Sequence, residues 1–95
     1  MIMVIGGADK ENYKTTSETW YYCYYSGKWT PGPTLNTKRA VHGCACFDGS
    51  NGKVIAVFGG FSRIDGPGRE ITNTVEFLDM ENRSQGWISG KEFKT

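Results

Sequence analysis

The feature that most constrains the fold of this chain is a short apolar strand that runs directly into a pair of glycines. Residues 53–60, KVIAVFGG, contain five consecutive apolar residues followed by Gly59 and Gly60. A run of this length, rich in β-branched residues and closed by glycine, predicts a strand buried on both faces. Because glycine lacks Cβ, a neighbouring backbone or ring can approach closely where the strand ends. The same device occurs in residues 1–7, MIMVIGG.

The two glycine pairs mark an internal repeat. Gly6 and Gly59 lie 53 positions apart (59 − 6), and after each pair the chain runs through a polar stretch, a strand and a tryptophan. The strands are predicted at residues 20–25 and 74–79, and the tryptophans are Trp29 and Trp87. A period of about 50 residues is typical of arrays in which each repeat is one supersecondary unit.

These landmarks resemble the kelch repeat, a four-stranded blade of a β-propeller. The family pattern has an Arg and a His around the first strand and an apolar second strand that ends in Gly-Gly. A third strand has aromatic and acidic residues, and a Trp lies at the fourth. The positions that fit are Gly6, Gly7, Tyr22 and Trp29 in the first copy and Arg39, His42, Gly59, Gly60, Phe77, Asp79 and Trp87 in the second. The resemblance covers almost the whole chain, but Tyr24 stands where the second copy has Asp79, so the following turns are expected to differ.

The predicted fold is all-β, a kelch-type propeller fragment with about seven antiparallel strands in two blades and no helices. Residues 1–38 form an incomplete blade with strands two to four, and residues 39–95 form a second blade with a truncated C-terminal end. A propeller needs at least about four blades, so the 95 residues are expected to be a fragment of a longer protein. Two blades alone leave apolar faces and sheet edges uncovered, and further blades or self-association are needed to cover them.

The aromatic strand at residues 20–25 is predicted to be packed on both sides. Side chains alternate along a strand, so Trp20, Tyr22 and Tyr24 share one face, and Tyr21, Cys23 and Tyr25 share the other. Packing between stacked blades is favoured over an exposed aromatic platform for a sugar, because such a platform would use only one face.

Charge and hydropathy argue against two classes of partner. The formal net charge is +1 at pH 7, whereas a nucleic-acid surface usually needs a concentrated basic face. No apolar run approaches the roughly 20 residues of a transmembrane helix. Residues 1–5 also lack the basic leader and full apolar segment of a signal peptide. We therefore expect neither a nucleic-acid nor a membrane partner.

The up-and-down order of the predicted strands places loops alternately on two rims. The long-loop rim contains residues 8–16, 31–39 and 61–73. The opposite, hairpin rim contains residues 26–28, 48–53 and 80–86. The D-G and N-G turn signals in residues 48–52 predict a hairpin there. Binding residues concentrate on loops that a rigid scaffold positions, and the kelch resemblance implies that the long-loop rim holds a protein or peptide partner.

The candidate partner-binding residues lie on this long-loop rim. They are Asn12, Tyr13, Lys38, Arg63 and Arg69. Arginine binds carboxylates bidentately, so Arg63 and Arg69 are candidates for gripping an acidic peptide. Solvation without any partner is the alternative interpretation for the charged rim residues.

The sequence contains few residues suited to catalysis or metal binding. His42 is the only histidine, and a metal site normally recruits several His, Cys or carboxylate ligands. Because His42 lies near Arg39 on an inner strand predicted at residues 40–47, it is interpreted as a structural residue. No nucleophile elbow, phosphate loop, HExxH or CxxC pattern is present. We predict no catalytic residues, no metal site and no cofactor.

The three cysteines leave two interpretations open. They are either small buried apolar residues, or they include a disulfide from Cys23 to Cys44 or Cys46 that ties one blade to the next. The disulfide would imply an oxidising compartment, which the glycosylation sequon at Asn82 favours only slightly. The compartment therefore stays open between cytoplasmic and extracellular.

Three functional hypotheses follow. The favoured one is a non-catalytic protein–protein interaction module that binds a partner peptide through its long-loop rim. The alternative is a fragment of a propeller enzyme, an oxidase or a glycan-acting enzyme, whose catalytic residues lie outside this chain. The third is an incomplete translation product with no independent function, which predicts an insoluble or molten chain.

Overall fold

A computed structural model shows an all-β chain, as predicted from the sequence. It describes residues 2–9, 11, 14–49, 52–63 and 70–91. Within these residues there are nine strands: β1 Ile2–Ile5, β2 Thr19–Cys23, β3 Lys28–Pro31, β4 Gly43–Gly49, β5 Gly52–Phe58, β6 Phe61–Arg63, β7 Glu70–Ile71, β8 Val75–Asp79 and β9 Ile88–Ser89. The same residues contain no α-helix, and a single 3₁₀ turn occupies Arg83–Gln85.

The strands form three small antiparallel sheets, none of which closes on itself. Sheet I has the order β1-β2-β3, sheet II has the order β4-β5-β8-β9, and β6 and β7 form a separate hairpin. This hairpin lies in the segment 61–73 that was predicted to be a loop, which is why the count exceeds the predicted seven. It forms because Phe61 pairs with Ile71 and the amide of Thr72 donates to the carbonyl of Gly60 at 2.9 Å.

Strand β4 begins later than the sequence predicts. It starts at Gly43, whereas the predicted inner strand starts at Ala40. Between them Val41 adopts a φ of +54°, a left-handed conformation that interrupts extended backbone. Ala40 instead makes an isolated bridge to Phe61.

Strand β2 ends earlier than the sequence predicts. It stops at Cys23, because the amide of Gly27 donates to the carbonyl of Cys23 at 2.8 Å and closes a turn. Tyr24 and Tyr25 therefore belong to the turn rather than to the two faces of the strand. Tyr25 is 96% exposed, so neither sheet packs on its ring.

Sheets I and II share one pairing register. Counting back from the first glycine pair, Ile5 lies opposite Thr19 in the β1–β2 ladder. Counting back from the second pair, Phe58 lies opposite Val75 in the β5–β8 ladder. Each step further along the strands keeps this correspondence, so every residue of β1 and β2 has a structural equivalent in β5 and β8.

The hydrogen bonds around the glycine pairs repeat as well. The amide of Gly6 donates to the carbonyl of Glu18 at 2.9 Å, and the amide of Gly59 donates to that of Thr74 at 3.1 Å. Both first glycines are left-handed, with φ of +64° and +69°. Further equivalent bonds join the amides of Gly32 and Gly90 to the carbonyls of Thr19 and Val75, and the amides of Glu18 and Thr74 to the hydroxyls of Thr16 and Thr72.

This register corrects the alignment of the third strands. Tyr21 is the equivalent of Phe77, and Cys23 is the equivalent of Asp79. The predicted assignment of Tyr22 and Tyr24 to these two positions is therefore wrong by one residue. The loop after the glycine pair is longer in the second copy, so sequence spacing could not determine the alignment. Residue type could not determine it either, because Tyr21 and Tyr22 are both aromatic.

The hydrophobic core lies between the facing sides of sheets I and II. Its buried members are Leu35, Val57, Leu78 and Trp87. Met3, Ile5, Ile55 and Met80 pack against them. Because successive side chains point to opposite faces, the remaining residues of each strand point away from this core.

The outward side of sheet I is apolar. We call it the tryptophan face, and its members are Ile2, Val4, Trp20, Tyr22 and Trp29. The rings of Tyr22 and Trp29 contact each other at a tilt of 46°, with their centroids 4.8 Å apart. Val4, Trp20 and Trp29 line an open groove of about 400 Å³.

The outward side of sheet II is apolar too. We call it the phenylalanine face, and its members are Phe47, Val54, Phe58, Phe77 and Ile88. Phe58 is 39% exposed, whereas its neighbour Val57 is fully buried. The strand that was predicted to be buried on both faces is thus covered mainly on one.

Replacing Gly60 by alanine should lower the free energy of unfolding by about 2–5 kcal/mol, through left-handed strain and overpacking together. The added Cβ would lie 2.5 Å from the carbonyl oxygen of Ala40 and 2.9 Å from Cα of His42. Gly86→Ala is the matched control, because its φ of +78° is similar and no atom lies within 4 Å. It should cost only about 1–2 kcal/mol. Urea unfolding measures both, and equal losses would contradict the close approach at Gly60.

Candidate functional site

The link between the two sheets, residues 31–39, is hydrogen-bonded to the first long loop, residues 8–16. The amide of Gly7 donates to the carbonyl of Arg39 at 2.8 Å, and the amide of Arg39 donates to the carbonyl of Thr16 at 3.3 Å. Residues 31–39 and residues 8–16 therefore lie on the same rim of the molecule.

The second long loop joins the same rim. Ala40 and Phe61 exchange two backbone hydrogen bonds, of 2.9 and 2.8 Å. The hydroxyl of Thr15 donates to the carbonyl of Ser62, which connects the first loop directly to the β6–β7 hairpin. The described parts of these three segments therefore share one rim, as predicted.

The hairpin rim lies at the other ends of the strands. There the amide of Met80 donates to the carbonyl of Lys53 at 2.9 Å. The guanidinium of Arg83 lies 5.0 Å from the ring centroid of Tyr21, so this rim also brings the two sheets together. Its connections are shorter than those of the long-loop rim.

Two of the five candidate partner-binding residues lie on the described part of the long-loop rim. Lys38 is exposed two residues before Ala40, and Arg63 is exposed two residues after Phe61. Because Ala40 pairs with Phe61, the two cationic residues lie on facing segments. Asn12, Tyr13 and Arg69 lie outside the described residues.

Arg63 has an acidic neighbour on its own hairpin. Its Nη1 lies 3.8 Å from Oε1 of Glu70, and both side chains are exposed. An exposed pair of this kind contributes about 0–1 kcal/mol. The ion pair with Glu70 therefore adds little to the stability of the hairpin.

A polar hollow opens on the rim beside the first glycine pair. Its volume is about 500 Å³, and residues 6–9, residues 14–16 and Glu18 line it. The lining combines glycine backbone with the side chains of Asp9 and Lys14, so it carries both signs of charge. Such a lining suits a polar peptide better than an apolar ligand.

A buried ion pair lies beneath the rim. Arg39 Nη2 lies 2.8 Å from Glu76 Oε2, and both side chains are 0% exposed. The guanidinium also donates to the carbonyls of Thr74 at 3.0 Å and Gly59 at 3.3 Å. A buried pair persists only when its other donors and acceptors are satisfied, and these bonds meet much of that requirement.

Glu76 in turn fixes the backbone of the link. Its carboxylate accepts hydrogen bonds from the amides of Asn36 at 2.6 Å and Thr37 at 3.1 Å. The side chain of Asn36 donates to the carbonyl of Trp87 at 2.9 Å, and the indole N–H of Trp87 donates to the carbonyl of Pro33 at 2.9 Å. Residues 33–39 are therefore anchored to sheet II rather than free to move.

Sequence reasoning did not identify Glu76. The signal was present in residues 75–79, VEFLD, where Glu76 alternates with Leu78 on one face of the strand. A carboxylate on the core face of a strand requires a cationic partner. Arg39, already expected near the first strand of the blade, was the available cation.

His42 occupies a crowded position between the two glycine pairs. A Cβ on Gly6 would lie 3.2 Å from Cε1 of His42, and one on Gly60 would lie 2.9 Å from Cα of His42. Burial and the charge of Arg39 lower the pKa of His42, and a hydrogen bond with the backbone of Ile5 acts in the opposite direction. This packing is consistent with the structural role predicted for His42.

We expect His42 to make stability fall in mild acid. The fold lowers the pKa of His42 from its ordinary value of 6.5, so the unfolded chain binds the proton more readily. The stabilisation is therefore complete above the unfolded pKa and is lost as the pH falls through the folded pKa. Urea unfolding between about pH 7.5 and about pH 5 should show a steeper decline for the native chain than for His42→Gln. Parallel curves for the two chains would contradict this assignment.

The three cysteines are free and exposed. The structure therefore has neither the burial nor the disulfide from Cys23 to Cys44 or Cys46 that the sequence left open. Cys44 and Cys46 line a gap of about 320 Å³ between the sheets, where Met3 and Ile5 of β1 also lie. Cys23 lies at the end of β2 in sheet I, whereas Cys44 and Cys46 lie on β4 in sheet II.

The described residues contain no group of three or more His, Cys, Asp or Glu side chains arranged to hold a metal ion. None of the helical segments in that part of the chain has the length and apolar character needed to cross a membrane. The polar groups that do converge there are the buried ion pair of Arg39 and Glu76 and the hydrogen bonds around it.

Comparison with known proteins adds no further assignment. No protein-family model matches the sequence, and no curated protein matches it. The resemblance to the kelch repeat therefore depends on the motif positions in the sequence.

Proposed function

We propose that the chain forms an incomplete kelch-type blade at residues 1–38 and a second blade at residues 39–95 of a β-propeller, and acts as a non-catalytic protein-interaction module. The observation that carries the architecture is the shared register of sheets I and II, from the glycine pair to the tryptophan. Two outward faces of apolar side chains support the same proposal, since stacked blades need apolar surface on both sides.

The long-loop rim is the binding surface in this proposal. It combines segments from both sheets that backbone hydrogen bonds hold together. Its link is anchored from below by Glu76, which accepts hydrogen bonds from two of the link's amides. A surface that is already ordered before binding loses less conformational entropy when a partner docks.

The partner that suits this rim is a polar peptide with at least one carboxylate. Lys38 and Arg63 provide exposed cationic groups on facing segments, and the ion pair that Arg63 makes with Glu70 is exposed as well. The hollow lined by residues 6–9 and 14–16 lies on the same rim and gives the rest of the peptide a polar surface with exposed glycine backbone.

A peptide library displayed on phage tests this proposal. Peptides selected on the native chain are measured against a double variant, Lys38→Ala with Arg63→Ala. The control is Lys28→Ala with Lys53→Ala, which removes the same charge from exposed positions near the hairpin rim. We expect the rim variant to weaken binding about tenfold or more, and the control to change it less than about twofold.

Two results would overturn the assignment. One is a library that yields no specific binder. The other is a set of peptides that lose equal affinity in both variants, or that shift amide resonances on the hairpin rim rather than on residues 14–16, 36–40 and 61–63. Either result would remove the long-loop rim as the binding surface.

A further inference from the structure

We propose that the tryptophan face of one copy of this chain binds the phenylalanine face of a second copy, so that chains associate head to tail. The inference rests on the proposed function, because it uses the equivalence of the two repeats. It identifies a second copy of the chain as the occupant of both apolar faces.

The interface inside the chain provides the template. Sheet I presents the side that carries Met3 and Tyr21 to the core, and sheet II presents the side that carries Val57 and Leu78. In the shared register Tyr21 corresponds to Phe77, so the inward side of sheet I is the equivalent of the phenylalanine face.

The same register relates the other two surfaces. Val57 of sheet II corresponds to Val4 of sheet I, so the inward side of sheet II is the equivalent of the tryptophan face. The internal interface therefore joins one surface of each kind. A contact between the phenylalanine face of one copy and the tryptophan face of the next joins the same two kinds of surface.

The two tryptophans show what the second copy would cover. Trp87 is 5% exposed inside the internal interface, whereas Trp29 at the equivalent position is 53% exposed. Trp29 lies beside the open groove that Val4 and Trp20 also line. A docked phenylalanine face would place Trp29 in an environment like that of Trp87.

Charge on the tryptophan face does not oppose this docking, and Asp79, which lies opposite Val54 on the phenylalanine side of sheet II, is at the end of β8 beside the hairpin rim. Glu76 on the internal interface needs Arg39 as its partner, since both side chains are fully buried. In the shared register Trp20 is the equivalent of Glu76. The tryptophan face therefore has an apolar side chain where the internal interface has a carboxylate. Apolar side chains can therefore cover the tryptophan face without burying an unpaired carboxylate.

Head-to-tail contacts of this kind have a defined outcome. They join two different surfaces, so they either close into a ring or extend without limit. Propellers close with about four to eight blades, so a chain with two blades closes as a ring of about two to four copies. The expected masses are the corresponding multiples of 10.6 kDa.

Light scattering after size exclusion, on the full chain over a dilution series, tests the association. One variant disables the tryptophan face, with Trp20→Lys and Trp29→Lys. A second disables the phenylalanine face, with Phe47→Lys and Phe58→Lys. Tyr25→Lys is the control, because Tyr25 is 96% exposed and lies in a turn off both faces. We expect the native chain and the control to form a discrete oligomer, and each face variant alone to be monomeric.

Mixing the two face variants separates head-to-tail association from any symmetric alternative. Each variant keeps one intact face, and the two intact faces are complementary. A one-to-one mixture should therefore form a dimer with one copy of each variant and nothing larger. A symmetric interface made from one face alone would leave such a mixture without this pairing.

Three results would overturn the inference. They are a native chain that is folded and monomeric throughout the dilution series, an oligomer that survives in both face variants, and a mixture that forms no dimer. Fluorescence checks folding in the first variant, since Trp87 is then its only tryptophan. If a lysine variant is unfolded, Trp29→Gln and Phe58→Gln replace it in the same assays. A folded monomer with intact registers would leave the repeat proposal standing and remove only the self-association.

Discussion

Replacing either Arg39 by methionine or Glu76 by leucine should lower the free energy of unfolding by about 3–5 kcal/mol. Both side chains are 0% exposed and meet at 2.8 Å, so each single change leaves one charge buried without its partner. Loss of Glu76 also removes the acceptor for the amides of Asn36 and Thr37. Small domains are stable by only about 5–15 kcal/mol, so each variant should be close to unfolding.

The double variant, Arg39→Met with Glu76→Leu, should be more stable than either single variant. It leaves no unpaired charge, although the link amides still lack their acceptor, so recovery is incomplete. Lys53→Ala is the control for loss of an exposed salt bridge, because Lys53 and Asp48 form an ion pair in which both side chains are exposed. It should change the free energy of unfolding by less than about 1 kcal/mol. Urea midpoints for the native chain and the four variants measure these effects. A single-variant loss no larger than that of Lys53→Ala would contradict the anchoring role of the buried pair.

Replacing Trp87 by alanine should cost about 3–5 kcal/mol, as expected for a large aromatic residue removed from a core. Trp87 is 5% exposed, packs against Leu35, Val57 and Leu78, and donates its indole N–H to Pro33. The matched variant is Trp29→Ala, at the equivalent position of the first repeat. Trp29 is 53% exposed, so in a single chain it should cost less than about 1 kcal/mol.

Thermal and urea unfolding at low protein concentration compare the two tryptophan variants directly. Equal losses would contradict the arrangement in which one tryptophan is covered by a neighbouring sheet and the other is not. If copies associate through the tryptophan face, the loss from Trp29→Ala should grow with protein concentration, since assembly stabilises the folded chain by mass action. The loss from Trp87→Ala should show much less of this dependence.

The parts of the fold that the sequence predicted correctly are those that short segments determine. Apolar runs closed by the glycine pairs located β1 and β5, and the D-G and N-G turn signals located the hairpin between β4 and β5. The sharing of one rim by the described parts of residues 8–16, 31–39 and 61–73 followed from up-and-down connectivity alone. None of these inferences needed a distant contact.

The errors arose where distant contacts decide the outcome. The β6–β7 hairpin depends on Phe61 being held by Ala40 of the link, which no local pattern in residues 61–73 indicates. The alignment of Tyr21 with Phe77 depends on strand register. Residue type could not distinguish Tyr21 from the adjacent Tyr22 as the equivalent of Phe77. Val41 is left-handed although it is β-branched, so propensity predicted extended backbone there.

The candidate site also has one part that the sequence predicted and one part that it did not. The rim was predictable because it follows from topology, and Lys38 and Arg63 lie on it. Its anchor was not predicted, because Glu76 acts through the backbone amides of Asn36 and Thr37, forty and thirty-nine positions earlier in the chain. The burial of Cys44 and Cys46 was misjudged because their exposure depends on how closely the two sheets pack beside β4, which residue type does not determine.

Cross-strand proton NMR contacts test the central claim, that sheets I and II are two copies of one repeat. Gly6 and Glu18 form a hydrogen-bonded pair, so the next pair along, Ile5 with Thr19, is non-hydrogen-bonded and brings its Cα atoms to about 4.5 Å. Strong Hα–Hα contacts are therefore predicted for Ile5–Thr19 and, at the equivalent position, Phe58–Val75. The same contact is predicted two residues further along each strand, between Met3 and Tyr21 in sheet I and between Ala56 and Phe77 in sheet II. A register displaced by one residue in either sheet would contradict the repeat and the proposals that depend on it.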